Sequence, residues 1–277
     1  MSTATDHAAA GVMLSQTGRH RDERPAASGR RTEPAAVALD LGSGQARLWA
    51  VGDGTRVARC TGEALSRSTS LVRRGRIVET AGCVALLTRM LHDVHPLPTS
   101  PVVVACRPVL AAPADQDAIR RVVTAVFAPS RVLLMDTVRA AAIGSGAATG
   151  VLLIVDVGTQ LSEVAVLVDG RVAAARRAEV GTHDPASGGA PRLLAGVVTR
   201  LVTVIGRNPH MRRLSAAALA RGVVLVGDGA TTPELSIRLA AHLRAAVRPA
   251  SSPRLAALRG AGLAATAACR HAATAAA

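Results

Sequence analysis

Apolar positions along the chain fall into short runs separated by glycine-bearing turns, and the order of those runs occurs twice. In the first pass, residues 37–40, 45–51 and 55–60 read as three strands joined by tight turns. They are followed by a helix over 80–94, a strand over 102–106, a helix over 114–127, a strand over 132–135 and a short helix over 139–144. The helix at 80–94 carries Val84, Leu87, Leu91 and Val94 on one stripe, and Pro96 stops it. After Gly150 the pattern returns, with strands at 151–156, 161–168 and 171–178 and a helix over 191–206. A strand at 223–226, a helix at 233–244, a weak strand at 245–248 and a helix at 253–267 complete it. Asp169-Gly170 is a two-residue hairpin turn whose twist suits the strands beside it. Three hairpin strands followed by alternating helices and strands, repeated, predict an α/β fold of two similar domains with mixed sheets, over 36–150 and 151–267.

The segments outside this pattern are read as tails. Residues 1–35 mix arginine with small and acidic residues and predict a disordered Arg-rich tail, and the Ala-rich stretch from Ala264, above all 268–277, predicts fraying. A chain of 277 residues suffices for two cores of ordinary size. One Trp (Trp49), one Phe (Phe127) and no Tyr leave no aromatic platform on which bases could stack, so nucleic acid is not the expected partner. The formal charge is +14 and every basic side chain is arginine, which favours anionic partners, an anionic membrane surface among them, through the Arg-rich segments. Cys60, Cys83, Cys106 and Cys269 are far apart and form no Cys-x-x-Cys pair, so they read as reduced core thiols. No run is long enough to span a bilayer and no signal-peptide order is present, so the expected location is the cytoplasm or the inner face of the membrane.

The chemistry concentrates in two copies of one motif. Ala36-Val37-Ala38-Leu39-Asp40-Leu41-Gly42-Ser43-Gly44-Gln45 puts an aspartate at the end of a buried strand and a small-residue turn after it. Val151-Leu152-Leu153-Ile154-Val155-Asp156-Val157-Gly158-Thr159-Gln160 does the same. Small residues let backbone N–H groups approach an anion with no side chain in the way, so each turn is a candidate phosphate cradle. One such turn occurs in many ordinary hairpins. Two, in duplicated domains, suggest a shared cleft.

With three further segments the chain resembles the actin-like ATPase superfamily, and within it the bacterial actins of the MreB group. These segments are Ala140 to Gly146, Gly222-Val223-Val224-Leu225-Val226-Gly227-Asp228-Gly229-Ala230, and Ala257-Leu258-Arg259-Gly260-Ala261-Gly262. The resemblance implies two ribonuclease-H-like, actin-type domains flanking a nucleotide cleft. Gly42, Ser43, Gly44 and Gln45 would form the first phosphate loop, Gly158, Thr159 and Gln160 the second, and Gly227, Asp228 and Gly229 the adenosine loop. Asp40 and Asp156 would hold Mg²⁺ beside ATP. Partners would be MreB-type filaments or cell-wall synthesis proteins.

The motif is altered where the family does its chemistry. Thr137 stands at the position of the glutamate that positions the attacking water, and losing such a base costs about 10²- to 10⁴-fold in rate, so slow or no hydrolysis is expected. Thr159 and Gln160 replace glycines and crowd the phosphates, and Asp228 adds a negative charge. The chain also runs directly from Cys60 to Leu71 and from Gly181 to Pro191, where the family inserts its two outer subdomains, which predicts an open, two-lobed core. The residues leave three functions in contention. The first is a degenerate MreB-like scaffold or modulator, the second a small actin-fold chaperone or kinase, and the third a basic nucleic-acid or membrane-surface binder on an inactive fold.

Overall fold

Each strand triplet becomes part of a five-stranded mixed sheet, and the two sheets share one topology. A computed structural model describes residues 35–60, 70–92, 100–183 and 190–275. The predicted Arg-rich tail thus lies outside the described residues apart from Ala35, as do most of the two short connections expected in place of outer subdomains.

The first sheet contains β1 (Ala36–Leu41), β2 (Gln45–Ala50) and β3 (Gly54–Arg59). After a small hairpin of β4 (Val72–Arg73) and β5 (Arg76–Ile77), the chain forms α1 (Thr80–His92), β6 (Val102–Arg107), α2 (Pro113–Phe127), β7 (Arg131–Asp136) and α3 (Thr137–Gly144). The second half contains β8 (Val151–Val157), β9 (Ser162–Val168), β10 (Arg171–Ala178), α4 (Pro191–Arg207), α5 (Arg212–Arg221), β11 (Val223–Val226), α6 (Pro233–Leu243), β12 (Val247–Pro249) and α7 (Ala256–Ala275). Strand order is β3-β2-β1-β6-β7 in one sheet and β10-β9-β8-β11-β12 in the other. In both, the hairpin strands pair antiparallel and the crossover strands parallel. The parallel strands β1, β6, β8 and β11 are buried on both faces, which is why their sequences read as unbroken apolar runs. In the β9–β10 hairpin Asp169 and Gly170 both take positive φ, 47° and 73°, as the two-residue turn requires.

Three apolar layers result. Leu39, Leu48, Leu87 and Val122 belong to a core between the first sheet and helices α1 and α2. Leu153, Leu225, Val198 and Leu239 belong to its counterpart between the second sheet and helices α4 and α6. Between the sheets, α3 and α7 cross and bury Ala38, Val104, Ile154 and Leu167. Their contact is made by glycine. A Cβ on Gly144 would overlap the Ala256 carbonyl oxygen, and one on Gly260 would overlap that of Ala140, so the two helices touch backbone to backbone.

Several expectations need correction. The buried stripe of α1 is Cys83, Leu86, Leu87 and Met90; Val84 and Leu91 sit at its edge, and Val94 lies outside the described residues. Helix α5 and the β4–β5 hairpin were not predicted. The Ala-rich end does not fray from Ala264: α7 packs on the first sheet, Ala265 is buried, and the Cys269 thiol reaches the Ala35 carbonyl at 3.6 Å. All four cysteines are free and buried, as expected. Among the described residues no helix is long and apolar enough to cross a membrane.

Glycine is required backbone to backbone at the helix crossing, but not at every helical position that carries one. Gly260→Ala should lower the unfolding free energy by about 3 kcal/mol or more, since backbone must move to admit a methyl group. By contrast, nothing lies within 4 Å of a Cβ at Gly196 in α4. Gly196→Ala should therefore stabilise by about 0.5–1 kcal/mol, and guanidinium unfolding of the two variants distinguishes them.

Candidate functional site

The hairpin register fixes the first carboxylate. Asp40, one residue from the end of β1, lies directly opposite Arg47 on β2. Cross-strand partners share a face, so the guanidinium is laid over the carboxylate by the strand pairing itself. Arg47 Nη1 donates to Asp40 Oδ2 at 3.0 Å, and Arg47 Nη2 to Gln45 Oε1 at 3.1 Å. The second half repeats the arrangement with a different partner: Asp156 on β8 lies opposite Glu163 on β9.

Both turns face one cleft. It is lined by Asp40, Gly42, Ser43, Gly44, Gln45, Thr137, Asp156, Gly158, Thr159, Gln160, Gly227 and Asp228. Thus every candidate residue converges there except Gly229, which sits behind the lining with its Cα against Val157. Asp136, one position before Thr137, turns away and pairs with Arg107 at 3.2 Å.

The cleft is not open. A cavity of about 80 Å³ remains, well below the roughly 300–1,000 Å³ of pockets that bury a small molecule. The residues standing in place of the family's glycines fill it. The Thr159 hydroxyl donates to Asp228 Oδ2 at 2.8 Å, and a Cβ on Gly44 would lie 2.5 Å from that hydroxyl, so the two turns meet across the gap. The Gln160 side-chain oxygen accepts from the Arg74 backbone N–H at 3.2 Å, and Ser43 Oγ accepts from the Gly75 N–H at 3.4 Å. The β4–β5 turn, with Arg74 at φ 50° and Gly75 at φ 75°, is thereby wedged between the loops. Outside it, Arg76 Nη2 and Arg74 Nη1 reach Glu179 at 2.6 and 3.5 Å, an exposed latch that adds little stability.

Charge is balanced inside the cleft. Asp228 does not leave an uncompensated negative charge: Arg254 Nε lies 3.0 Å from its Oδ1 and Arg47 Nη2 lies 3.9 Å from the same oxygen. Burial alone would lower the pKa of Arg47, but attraction to Asp40 and Asp228 outweighs it and raises the value. Asp156 has no such partner. Burial, with the neighbouring Asp40 charge, pushes its carboxyl up to about 7. Burial likewise pushes Glu163 well above the carboxylate range, although its Oε1 accepts a 2.6 Å hydrogen bond from Val109 N–H. This bond joins the halves, since Val109 follows β6. The Thr137 hydroxyl donates to the Arg107 carbonyl at 3.0 Å, and a neutral hydroxyl is too weakly basic to take a proton from water.

These residues do not fit the magnesium nucleotide that the resemblance implies. Asp40 Oδ2 is held by Arg47, and among the described residues no cluster of three or more His, Cys, Asp or Glu could hold a metal. The space left between the two turns, about 80 Å³, is small for a nucleotide's phosphates. Sequence reasoning missed Arg47, Arg254 and Glu163. Arg47 was legible: its spacing from Asp40 across a short turn pairs the two.

Comparison with known proteins agrees with this architecture. A profile of the MreB/Mbl protein family matches residues 31–185, which include both Asp-x-Gly turns. Among solved structures, MreB5 of Spiroplasma citri bound to AMPPNP superposes with a TM-score of 0.72 at 12% identity, covering 87% of this chain and 98% of that one. MreB5 of Spiroplasma citri bound to ADP gives 0.72 at 15% identity, covering 86% and 98%. The ethanolamine utilization protein EutJ of Carboxydothermus hydrogenoformans gives 0.56 at 20% identity, covering 83% and 89%. No curated protein matches the sequence.

A raised acid makes stability depend on pH in a definite direction. The Asp156 carboxyl holds its proton to about pH 7 when folded and only to about 3.8 when unfolded, so its contribution is full below 3.8 and lost as pH rises through 7. Asp156→Asn, which cannot titrate, should remove about 2–4 kcal/mol of the wild-type decline over that window, measured by urea unfolding at a series of pH values.

Proposed function

Because this chain belongs to the MreB/Mbl family, we propose that it is an MreB-like cytoskeletal protein with a degenerate nucleotide cleft. It would act as a scaffold or modulator in bacterial cell-wall morphogenesis, not as a motor. In this reading the two halves are actin-type domains whose cleft has become an internal joint, ATP is bound weakly or not at all, and hydrolysis is slow or absent.

The observation that supports it is the closure of the cleft by its own side chains. Thr159 bonds Asp228, Gln160 bonds the β4–β5 turn, and Thr137 spends its hydroxyl on a backbone carbonyl. Loops bonded to one another across the cleft would couple nucleotide state to shape weakly, which leaves surface recognition as the retained property. Partners in this reading are MreB-type filaments or wall-synthesis proteins. The formal charge of +14 supports an additional contact with the anionic inner face of the membrane.

The purified chain with ATP and Mg²⁺ should release phosphate at least ~100-fold more slowly than an active bacterial actin, in line with loss of the base. Calorimetric titration of ATP should give the same negligible heat for wild type and Asp156→Ala. The chain should co-sediment with preformed MreB filaments. Phosphate release at the rate of an active filament protein would overturn the proposal.

A further inference from the structure

We propose that Arg47 is a tethered cation that takes the place of the divalent ion in this cleft, so that the two halves close on a charge supplied by the chain itself. The inference rests on the reading above only for the identity of the cleft.

The argument is geometric. Arg47 is 8% exposed and Asp40 9%, a depth at which an unpaired charge costs several kcal/mol. The guanidinium spans the halves, with Nη1 3.0 Å from Asp40 in the first sheet and Nη2 3.9 Å from Asp228 beside the second. Asp228 is in turn gripped by the Thr159 hydroxyl at 2.8 Å and by Arg254 at 3.0 Å. A hard divalent ion between such loops neutralises carboxylates from both sides and can leave. Arg47 neutralises the same two sides and cannot leave, because its backbone is locked opposite Asp40 by the β1–β2 register.

The match extends to what the site lacks. Arg47 Nε is buried with no hydrogen-bond partner, so the side chain is placed for its two terminal nitrogens at the expense of the third. A planar, permanently charged fork suits bridging two carboxylates better than an ammonium would. With the fork in place, Asp40 Oδ2 is occupied and a divalent ion would meet a fixed positive charge beside that carboxylate.

Thermal unfolding of the full chain, in EDTA and in millimolar Mg²⁺, tests this. Wild type should melt at the same temperature in both. Arg47→Met, which keeps the apolar stem, should melt about 5–15 °C lower in EDTA, as expected when a buried pair loses one partner, and should recover part of that loss in Mg²⁺. Asp40→Asn/Arg47→Met, which leaves no unpaired carboxylate at residue 40, should recover most of the loss without metal. Equal Mg²⁺ stabilisation of wild type and Arg47→Met, or an Arg47→Met variant as stable as wild type in EDTA, would overturn the inference. If Arg47→Met does not fold, the double variant decides: a melting temperature near wild type supports the inference, and failure to fold overturns it. ATP turnover by a wild type whose melting ignores Mg²⁺ would defeat the proposed function and leave this inference standing, so the two fail separately.

Discussion

The crossing of α3 and α7 is the constraint from which the arrangement of the halves follows. Helices that touch at Gly144 and Gly260 are closer than any pair with side chains at the contact could be. Each is continuous with one end of a cleft loop: Thr137 opens α3, and Arg254 lies in the short turn that leads into α7. The distance between the Asp-x-Gly turns is therefore set from below, by two glycines. With wider helices the turns could not meet, and Thr159 would not reach Asp228. The inner core is correspondingly rich in alanine, with valine and cysteine and only four larger aliphatics, Leu152, Ile154, Leu167 and Leu258, so it forms a thin layer.

Above that crossing, electrostatics decide the state of the cleft. Four carboxylates converge, and they are handled in two ways. Asp40 and Asp228 are bridged by arginines, whereas burial pushes the Asp156 carboxyl up to about 7 and the Glu163 carboxyl well above the usual carboxylate range. A fold whose structural neighbours are seen with AMPPNP and ADP here joins its cleft loops through Thr159, Gln160, Arg47 and the β4–β5 turn.

Most of the fold was legible in the chain because its signals are local. Doubly buried strands read as unbroken apolar runs, Asp169-Gly170 fixed one hairpin, and the repeat of the Asp-x-Gly turn placed the cleft. What escaped was of two kinds. The β4–β5 hairpin has two residues per strand and leaves no period to detect, and α5 has only Ser215 and Ala218 buried, too faint a stripe to see. The other kind was relational. Thr159 and Gln160 were recognised as departures from glycine, but that they close the cleft depends on Asp228 and Arg74, far away in sequence. The expectation of an open core failed for this reason: removing outer walls opens a cleft only if nothing inside spans it.

The scarcity of aromatic residues has an optical consequence. Trp49 is the single tryptophan and there is no tyrosine, so ultraviolet emission from this protein has one source. Its indole lies on α7, with ring carbon 3.0 Å from where a Cβ on Gly262 would sit, while its backbone belongs to β2 of the first sheet. The fluorophore thus rests on the seam between the halves, and its wavelength and quenching report whether they remain together, with no label attached and no background to subtract.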